Sequence, residues 1–519
     1  MAHLLEARDL TGPVSARPPA VRLAPTPAEV ADLLRDESRL AASAVASVAE
    51  PGTVDELRQV MRWHADHGHL VTVSGARTGV AGGAVPDATT HLVSTARLRG
   101  VVALDLEATP PAVRVLAGTT LRELQAWLAG HAHGWALPLD PTEAGASVGG
   151  MVATNAAGSR AFRYGATRDW VVGLVVELAS GRTLTVRRGA DRADGDELVL
   201  RDGDAARAAR LATIPKPHTK NSVGYGFQPG GDIVDLFVGS EGTLGVVSEV
   251  TWRLMPAGES RLALLQFFAR VAQAFSFVER LRHDGLLKTT AIEFLDSRSH
   301  ELARETGKPE VLRVLAQAPP GSCSVFAEVA FTDAEGPDDT LGDLLAHIEA
   351  VGADLDAGIA GLDDQASRDI RVFRHAVPER INATIAERRR THPTLHKIAT
   401  DMAVEDHDLR WVYDLYTSRL TAAGLDHAVF GHAGNNHFHV NILPKDDGEL
   451  QRAKAIYREF AAAIVARGGC VSAEHGIGRI KKPFLPVQYG PEVLETMRAA
   501  KRWLDPDWRL NPGVLIDPA

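Results

Sequence analysis

Apolar residues recur at helical spacing at Val54, Leu57, Val60 and Met61, behind the capping box Thr53-Val-Asp-Glu56 and ahead of Gly68, which predicts a helix of about four turns. The period then changes: Leu70 to Ser74 reads as a strand that runs directly into the glycine-rich stretch Gly75 to Gly83. A second capping box, Thr120-Leu-Arg-Glu123, precedes Leu124, Trp127 and Leu128, with Gly130 closing that helix. Val171 to Leu178 is an unbroken apolar strand, and Ser180-Gly181 turns it into Thr183 to Val186 as a hairpin. Gly242 to Trp252 adds a glycine-led strand, whereas the Arg- and Asp-rich Asp191 to Ala209 reads as an exposed excursion. The Ala/Pro-rich first fifty residues carry a modest helical pattern at Val30, Leu33 and Leu34 and read as an extension packed on the body. Beyond Met255-Pro-Ala-Gly258 longer helical patterns alternate with strands such as Ser324 to Ala330, so a second domain is expected to begin near residue 258.

Length and charge narrow the class. At roughly 150 residues per domain, 519 residues make two to four domains. The 56 basic and 66 acidic residues leave a net charge of −10, so the global basic field that draws nucleic acid is missing and no nucleic-acid partner is expected. Two cysteines, Cys323 and Cys470, exclude a disulfide framework and suit a reducing compartment. The longest apolar candidate, Leu40 to Ala49, is too short to span a bilayer, and Met1 to Asp9 lacks a basic segment leading into an apolar run. A cytoplasmic location is therefore expected, with peripheral contact at the inner membrane left open.

Neither G-x-G-x-x-G between strand and helix nor a G-x-x-x-x-G-K-[ST] loop occurs, which removes the main support for a Rossmann nicotinamide site. Glycine clusters stand instead at Gly75 to Gly83, Gly145 to Gly150, Asn155 to Gly158 and Gly239 to Gly245. Such loops let backbone N–H groups approach a pyrophosphate; read blandly, they are turns and bulges of a β-rich domain. A second constellation joins Gly431-His-Ala-Gly-Asn-Asn-His-Phe-His-Val440 to Ser472-Ala-Glu-His-Gly-Ile-Gly478. If the chain beyond Phe438 is a strand, His437 and His439 face one side. Glu474 and His475 reach one site together only from a loop, which Gly476 and Gly478 permit. Four histidines and a carboxylate in two glycine-flanked segments point to a divalent metal or to catalysis. The cationic residues Arg371, Arg374, Arg380, Arg388 to Arg390 and Lys397 are either an anion clamp or a solvated helix face.

Taken together, these segments resemble the FAD-dependent oxidoreductases of the vanillyl-alcohol-oxidase superfamily, in the group of D-lactate dehydrogenase, glycolate oxidase and D-2-hydroxyglutarate dehydrogenase. The resemblance runs over about residues 45 to 515 and rests on Ser74 to Gly83, Asp140 to Gly150, Asn155 to Gly158, Arg163-Tyr-Gly165, Gly239 to Val246, Gly431 to His439, Ser472 to Gly478 and Leu510-Asn-Pro-Gly513. It implies an α+β fold. After an N-terminal extension, 1–45, a two-subdomain FAD-binding domain of PCMH type covers 46–257. An α+β substrate or cap domain with an antiparallel sheet follows at 258–485, and 486–519 returns to the FAD domain.

The same resemblance assigns FAD contacts to Ser74, Gly75, Arg77, Thr78, Gly79, Gly82, Pro141, Thr142, Gly145, Ser147, Gly149, Gly150, Asn155, Gly158, Tyr164, Gly165, Glu241, Gly242, Gly245, Val246 and Asn511. The first loop holds no histidine, so the flavin is expected to be non-covalent. His432, His439 and Glu474 match positions that bind a divalent ion, expected to be Zn or Mn, and His475 matches the base that takes the hydroxyl proton while the α-hydrogen leaves as hydride to flavin N5. Where the group commonly has Asp-Gly-Asn, this chain has Asn435, Asn436 and His437, and His437 joins Arg374 and Lys397 as expected substrate contacts. The expected reaction is oxidation of a D-2-hydroxy acid, D-lactate foremost, then glycolate or D-2-hydroxyglutarate. A quinone, cytochrome or electron-transfer flavoprotein would accept the electrons, and a homodimer is the generic expectation. The competing readings are an alkyl-glycerone-phosphate-synthase type of flavoenzyme without net redox, a metal-dependent hydrolase whose glycine loops are structural, and an electron-transfer or scaffold subunit.

Overall fold

Thr53 accepts a hydrogen bond from Glu56 N and starts the helix Val54–Asp66, whose Leu57, Val60 and Met61 are buried. In the computed structural model, which describes residues 4–10, 16–332 and 336–518, this apolar face packs on a four-stranded sheet ordered Val21–Leu23, Ser47–Ala49, His91–Ser94, Val71–Ser74. The last three strands are mutually parallel. Residues 1–3 of the segment judged to lack a leader lie outside the described residues. The N-terminal extension is built into these sheets. Val21–Leu23 pairs with Ser47–Ala49, and Leu4–Ala7 pairs in parallel with Glu197–Asp202. The helical pattern at Val30, Leu33 and Leu34 makes no helix: these side chains sit in turns and fill a small cluster with Val45, Val48 and Leu92. Burial, not helical periodicity, sets their spacing.

A five-stranded antiparallel sheet completes this half, in the order Thr183–Arg187, Val171–Glu177, Val246–Arg253, Ala112–Leu116, Val101–Asp105. The expected hairpin pairs Thr183 with Glu177. Helix Leu121–His131 has the full reciprocal capping box between Thr120 and Glu123. The reading of Asp191 to Ala209 as an excursion is corrected: it contributes Glu197–Asp202 and most of Ala205–Arg210, with Leu198 and Leu200 buried. Its charges sit on the outer side of a two-faced strand pair, and they hid the inward leucines.

The second half is one mixed-length antiparallel sheet, ordered Gly358–Ala360, Ser260–Phe268, Cys323–Phe331, Lys288–Leu295, His427–His432, His437–Ile442, Ile398–Ala399. Cys323–Phe331 is apolar except at Ser324 and Glu328 because both faces are covered. Val325, Ala327 and Val329 join Phe275, Phe277 and Leu344, while Phe326 faces Leu302, Val311, Phe373 and Ile381 on the other side. The long helix Asp364–Arg388 lies on that second face. Among the described residues, no helix is long and apolar enough to cross a membrane.

Candidate active site

Two adjacent strands bring the histidines together. His427–His432 turns through Ala433–Asn435 into His437–Ile442, and His432 is the register partner of His437. Asn436 makes the turn at φ 50 and is held by Arg282, which donates to its Oδ1 at 2.6 Å. His437 and His439 share a face, with ring centroids 4.3 Å apart. Glu474 arrives from the loop after Cys470, as the glycines implied, with its Oε1 3.3 Å from His432 Nε2 and Oε2 3.7 Å from His439 Nε2. One ligand atom from each of His432, His437, His439 and Glu474 lies within 4.8 Å of the others. His437 Nδ1 is buried without a hydrogen-bond partner, whereas His432 Nδ1 lies 3.2 Å from Glu293 Oε1. Three imidazoles and one carboxylate, with one orphaned nitrogen among them, fit a divalent ion of the zinc or manganese type. The structure thus groups His437, expected on the substrate, with the three residues expected to bind the ion.

Asp401 is the second centre. Its carboxylate lies 3.1 Å from His437 Nε2 and 3.4 Å from His475 Nδ1. It also accepts from Lys481, Ser472 Oγ, and the backbone N–H groups of Glu474 and His475. Burial alone would raise its pKa, but the charges of His475 and Lys481 outweigh it and hold Asp401 well below the usual carboxylate range. Burial likewise opposes Glu474 and Glu293, and Lys220 with His432 in the first case, Arg374 with His432 in the second, keep both ionised. Burial keeps His437 neutral, with a pKa of about 4, and lowers that of His475. His432 goes the other way: its burial is outweighed by the charge of Glu474, which raises its pKa.

The glycine loops converge beside this centre. Ser147 Oγ accepts from Ala76 N and stands where a side chain at Gly75 would be; a Cβ there would meet it at 2.4 Å. A Cβ on Gly158 would lie 1.6 Å from Asp140 O, and on Gly149 2.7 Å from the Ala117 side chain. Glu241 accepts from Ile477 N and Gly478 N, and Asn511 links Val73 N to Glu241 O through its amide. Burial pushes the Glu241 pKa up to about 7. Lys220 then joins the two halves, donating to Gly158 O at 2.8 Å and to Glu474. Ser74 Oγ is buried without a partner at the mouth of the first loop. The glycines let the three loops pack closely on their neighbours, and the orphaned Ser74 hydroxyl at the mouth of the first loop fits a bound dinucleotide. Arg77 (φ 60), Thr78 and Gly79 lie on the first loop, and nothing stands within 4 Å of a Cβ at Gly79. Gly150 faces Ser147, and Asn155 bonds Asn221 O.

Other expected residues have local partners of their own. Tyr164 donates to Glu259 at 2.7 Å, Gly165 turns at φ 74 against Asp169, and Gly82 packs on Leu40. Gly245 packs on Val176, Val246 starts a buried strand, Gly145 abuts Glu143, Gly242 abuts Asn511, Pro141 bridges Gly158, and Thr142 is exposed. Arg374 is tied to the cluster through Glu293, which it contacts at 2.7 Å while stacking over Phe326. Lys397 is half-buried, and burial with the charge of Arg39 lowers its pKa to about 8; no contact joins it to the histidines. Arg388 pairs with Asp426 at the helix end. A cavity of about 330 Å³ lined by Trp135, Leu137, Arg160, Met255 and Arg261 opens beside the Arg160–Glu328 pair, not on the histidines. Sequence reasoning missed Lys220, Glu293 and Asp401. Glu293 carried a signal as a lone acid between apolar residues, and Asp401 stands four residues beyond Lys397.

Comparison with known proteins places the whole arrangement. Residues 45–187 match the FAD binding domain family and 258–515 the family of FAD linked oxidases, C-terminal domain. A D-2-hydroxyglutarate dehydrogenase of Xanthomonas citri pv. viticola is 30% identical over 96% of this chain and 95% of its own. A D-lactate dehydrogenase of Anaerostipes hadrus is 28% identical over 93% and 92%. The solved p-cresol methylhydroxylase with substrate bound superposes with a TM-score of 0.67 at 14% identity, covering 96% of this chain and 94% of that one. With converging glycine loops, a carboxylate-histidine centre beside them, the fold of p-cresol methylhydroxylase and a relative of 30% identity along nearly its full length, the chain belongs to the FAD-linked oxidoreductases.

Proposed function

We propose that this protein is an FAD-dependent dehydrogenase that oxidises a D-2-hydroxy acid to the 2-oxo acid. The observation that carries the reading is the contact of Lys220 with both Gly158 O and Glu474, which sets the carboxylate-histidine centre directly against the glycine loops. Ser74, Gly75, Ser147, Gly158 and Asn511 would hold FAD non-covalently; when bound, it supplies the two-electron acceptor for the substrate α-hydrogen. His432, His437, His439 and Glu474 would hold a divalent ion, whose chemistry is to acidify the substrate hydroxyl. The chain's own residues do the rest. Neutral His475 takes the hydroxyl proton. Asp401 contacts His475 Nδ1, fixing the ring and leaving Nε2 for the substrate. Arg374, poised on Glu293, is the cation for the substrate carboxylate. Electrons then leave to a quinone, a cytochrome or an electron-transfer flavoprotein.

D-lactate is the first substrate to test. D-2-hydroxyglutarate is the second reading, favoured by the 30% identical relative of that name. The experiment is the visible spectrum of the purified protein under anaerobic conditions before and after each acid. Bleaching of the flavin bands supports the reading and selects the substrate. Bands that neither acid bleaches refute the proposed reaction, and a colourless protein that FAD does not reconstitute refutes the cofactor.

A further inference from the structure

On the FAD-binding half, away from the residues assigned above, a second group of imidazoles has no role in the proposed reaction. His64 lies in the last turn of the helix Val54–Asp66, and Gly68, at φ 64, bends the chain back so that His69 returns beside it. His91 opens the neighbouring strand His91–Ser94, where its backbone N–H donates to Leu70 O at 2.8 Å. One ring nitrogen from each of the three lies within 4.8 Å of the others. His64 Nδ1 and His69 Nδ1 stand 3.0 Å apart, and the rings of His69 and His91 stack with centroids 3.8 Å apart.

This is poor packing for a purely structural cluster. His64 is 1% exposed, yet its Nδ1 meets only another imidazole nitrogen and its Nε2 has no hydrogen-bond partner. A buried nitrogen facing only another imidazole nitrogen is poorly satisfied, and an ion between the two Nδ1 atoms would engage it while Nε2 keeps the ring proton. The separation of the two Nδ1 atoms is close to the roughly 3.3 Å that two imidazole nitrogens span across a tetrahedral ion with bonds of about 2.0–2.1 Å. His91 already has an outer partner. Ser47 Oγ lies 2.7 Å from its Nδ1, which fixes the ring and leaves Nε2 as the inward donor, the arrangement usual for ligating histidines. His67 Nδ1 likewise donates to Trp63 O, and its ring stacks on His69 at 5.4 Å. Burial keeps the ligands in the neutral form that binds metal: the pKa of His64 falls to about 2, that of His91 to about 4, and that of His69 is lowered too.

We propose that His64, His69 and His91 form a second cation site, which takes a late first-row dication such as Zn²⁺ through imidazole nitrogens. The donor set decides the class. With nitrogen donors and no carboxylate, it suits Zn²⁺, Ni²⁺ or Cu²⁺ and not the oxygen-seeking Mg²⁺ or Ca²⁺. His69 and His91 are only half-buried, so an ion enters from solvent and keeps a position for water. The site clamps the end of the helix to the root of Val71–Ser74, the strand that delivers the first glycine loop.

The test is equilibrium dialysis of the chelator-stripped, FAD-loaded enzyme against zinc buffered at micromolar free concentration, with bound zinc counted by mass spectrometry. His69→Ala is the first variant because its side chain is half-buried at a turn; His91→Gln is the second if the first fails to fold. Wild type should bind one more zinc per chain than either variant, and zinc should raise the Tm of wild type more than that of the variant. Equal zinc in wild type and a variant of normal FAD content overturns the site. Because the histidine and glutamate cluster at His432 is intact in all three proteins, its failure to bind metal would leave this difference unchanged.

Discussion

A single carboxylate, Asp401, organises the region of the proposed base, since it contacts His437, His475 and Lys481 at once. Asp401→Asn keeps the shape, removes the charge and weakens the hold on the His475 ring. Flavin reduction by substrate should slow by about 100-fold, the usual worth of an oriented general base, while FAD content stays at the wild-type level. His475→Ala should lose reduction to at least the same degree, and stopped-flow traces at 450 nm compare the two. Unimpaired reduction in His475→Ala would remove that residue from the base role. A different residue sets a pH dependence of stability. His300 bonds Ser324 Oγ at 2.8 Å, and burial, with Arg304 adding to it, lowers its pKa to about 3. The unfolded chain binds this proton near pH 6.5 and the native protein does not, so the stabilisation is complete above that pH and is lost as pH falls towards 3. Urea unfolding should show a loss of about 2 kcal/mol between pH 6.5 and pH 5. The His300→Gln variant should lack this component.

At the scale of elements, the hairpin that carries the histidines is fixed from its far side. Phe438 points away from His437 and His439 into Phe275, Phe294 and Tyr413, with 5.6 Å between the Phe294 and Phe438 ring centroids. Phe438→Ala should cost about 3–5 kcal/mol in urea unfolding. Activity should fall with it, because the histidine-bearing strand loses its anchor. The glycine loops respond differently. A Cβ on Gly158 would meet backbone oxygen of Asp140, which has no side-chain freedom to yield. Gly158→Ala should therefore purify with a lower ratio of 450 nm to 280 nm absorbance than wild type. Local signals made the capped helices and the 171–187 hairpin legible in the sequence, because caps and tight turns act within a few residues. The pair Glu197–Asp202 and Ala205–Arg210 was not legible, since its strand character comes from burial against the body, not from its own charged composition.

Across the whole molecule, the C-terminal segment locks the cofactor half. Asn511 Oδ1 accepts from Val73 N and its Nδ2 donates to Glu241 O, both at 2.6 Å, at a backbone φ of 44 that asparagine tolerates better than most residues. Asn511→Ala should cost about 2 kcal/mol and raise the FAD dissociation constant, read from the return of flavin fluorescence on dilution. An unchanged constant would detach this segment from cofactor binding. Glu241, buried and bonded to Ile477 N and Gly478 N, ties the same region to the loop that carries Glu474 and His475, so the cofactor half and the histidine cluster are held as one unit.

The sequence by itself determined the elements whose signals are local and the motif residues whose types carry chemistry. His437 and His439 on one face and Glu474 and His475 on a glycine-flanked loop followed from side-chain period and backbone freedom alone. The tertiary structure alone decided which distant charges meet: Lys220 with Glu474, Arg374 with Glu293, and Asp401 with His437 and His475. Each of these pairs except that of Asp401 and His437 spans more than seventy residues. No local period encodes such a meeting, because it depends on how two sheets and their loops pack, and only that packing removes the water that would otherwise screen the charges.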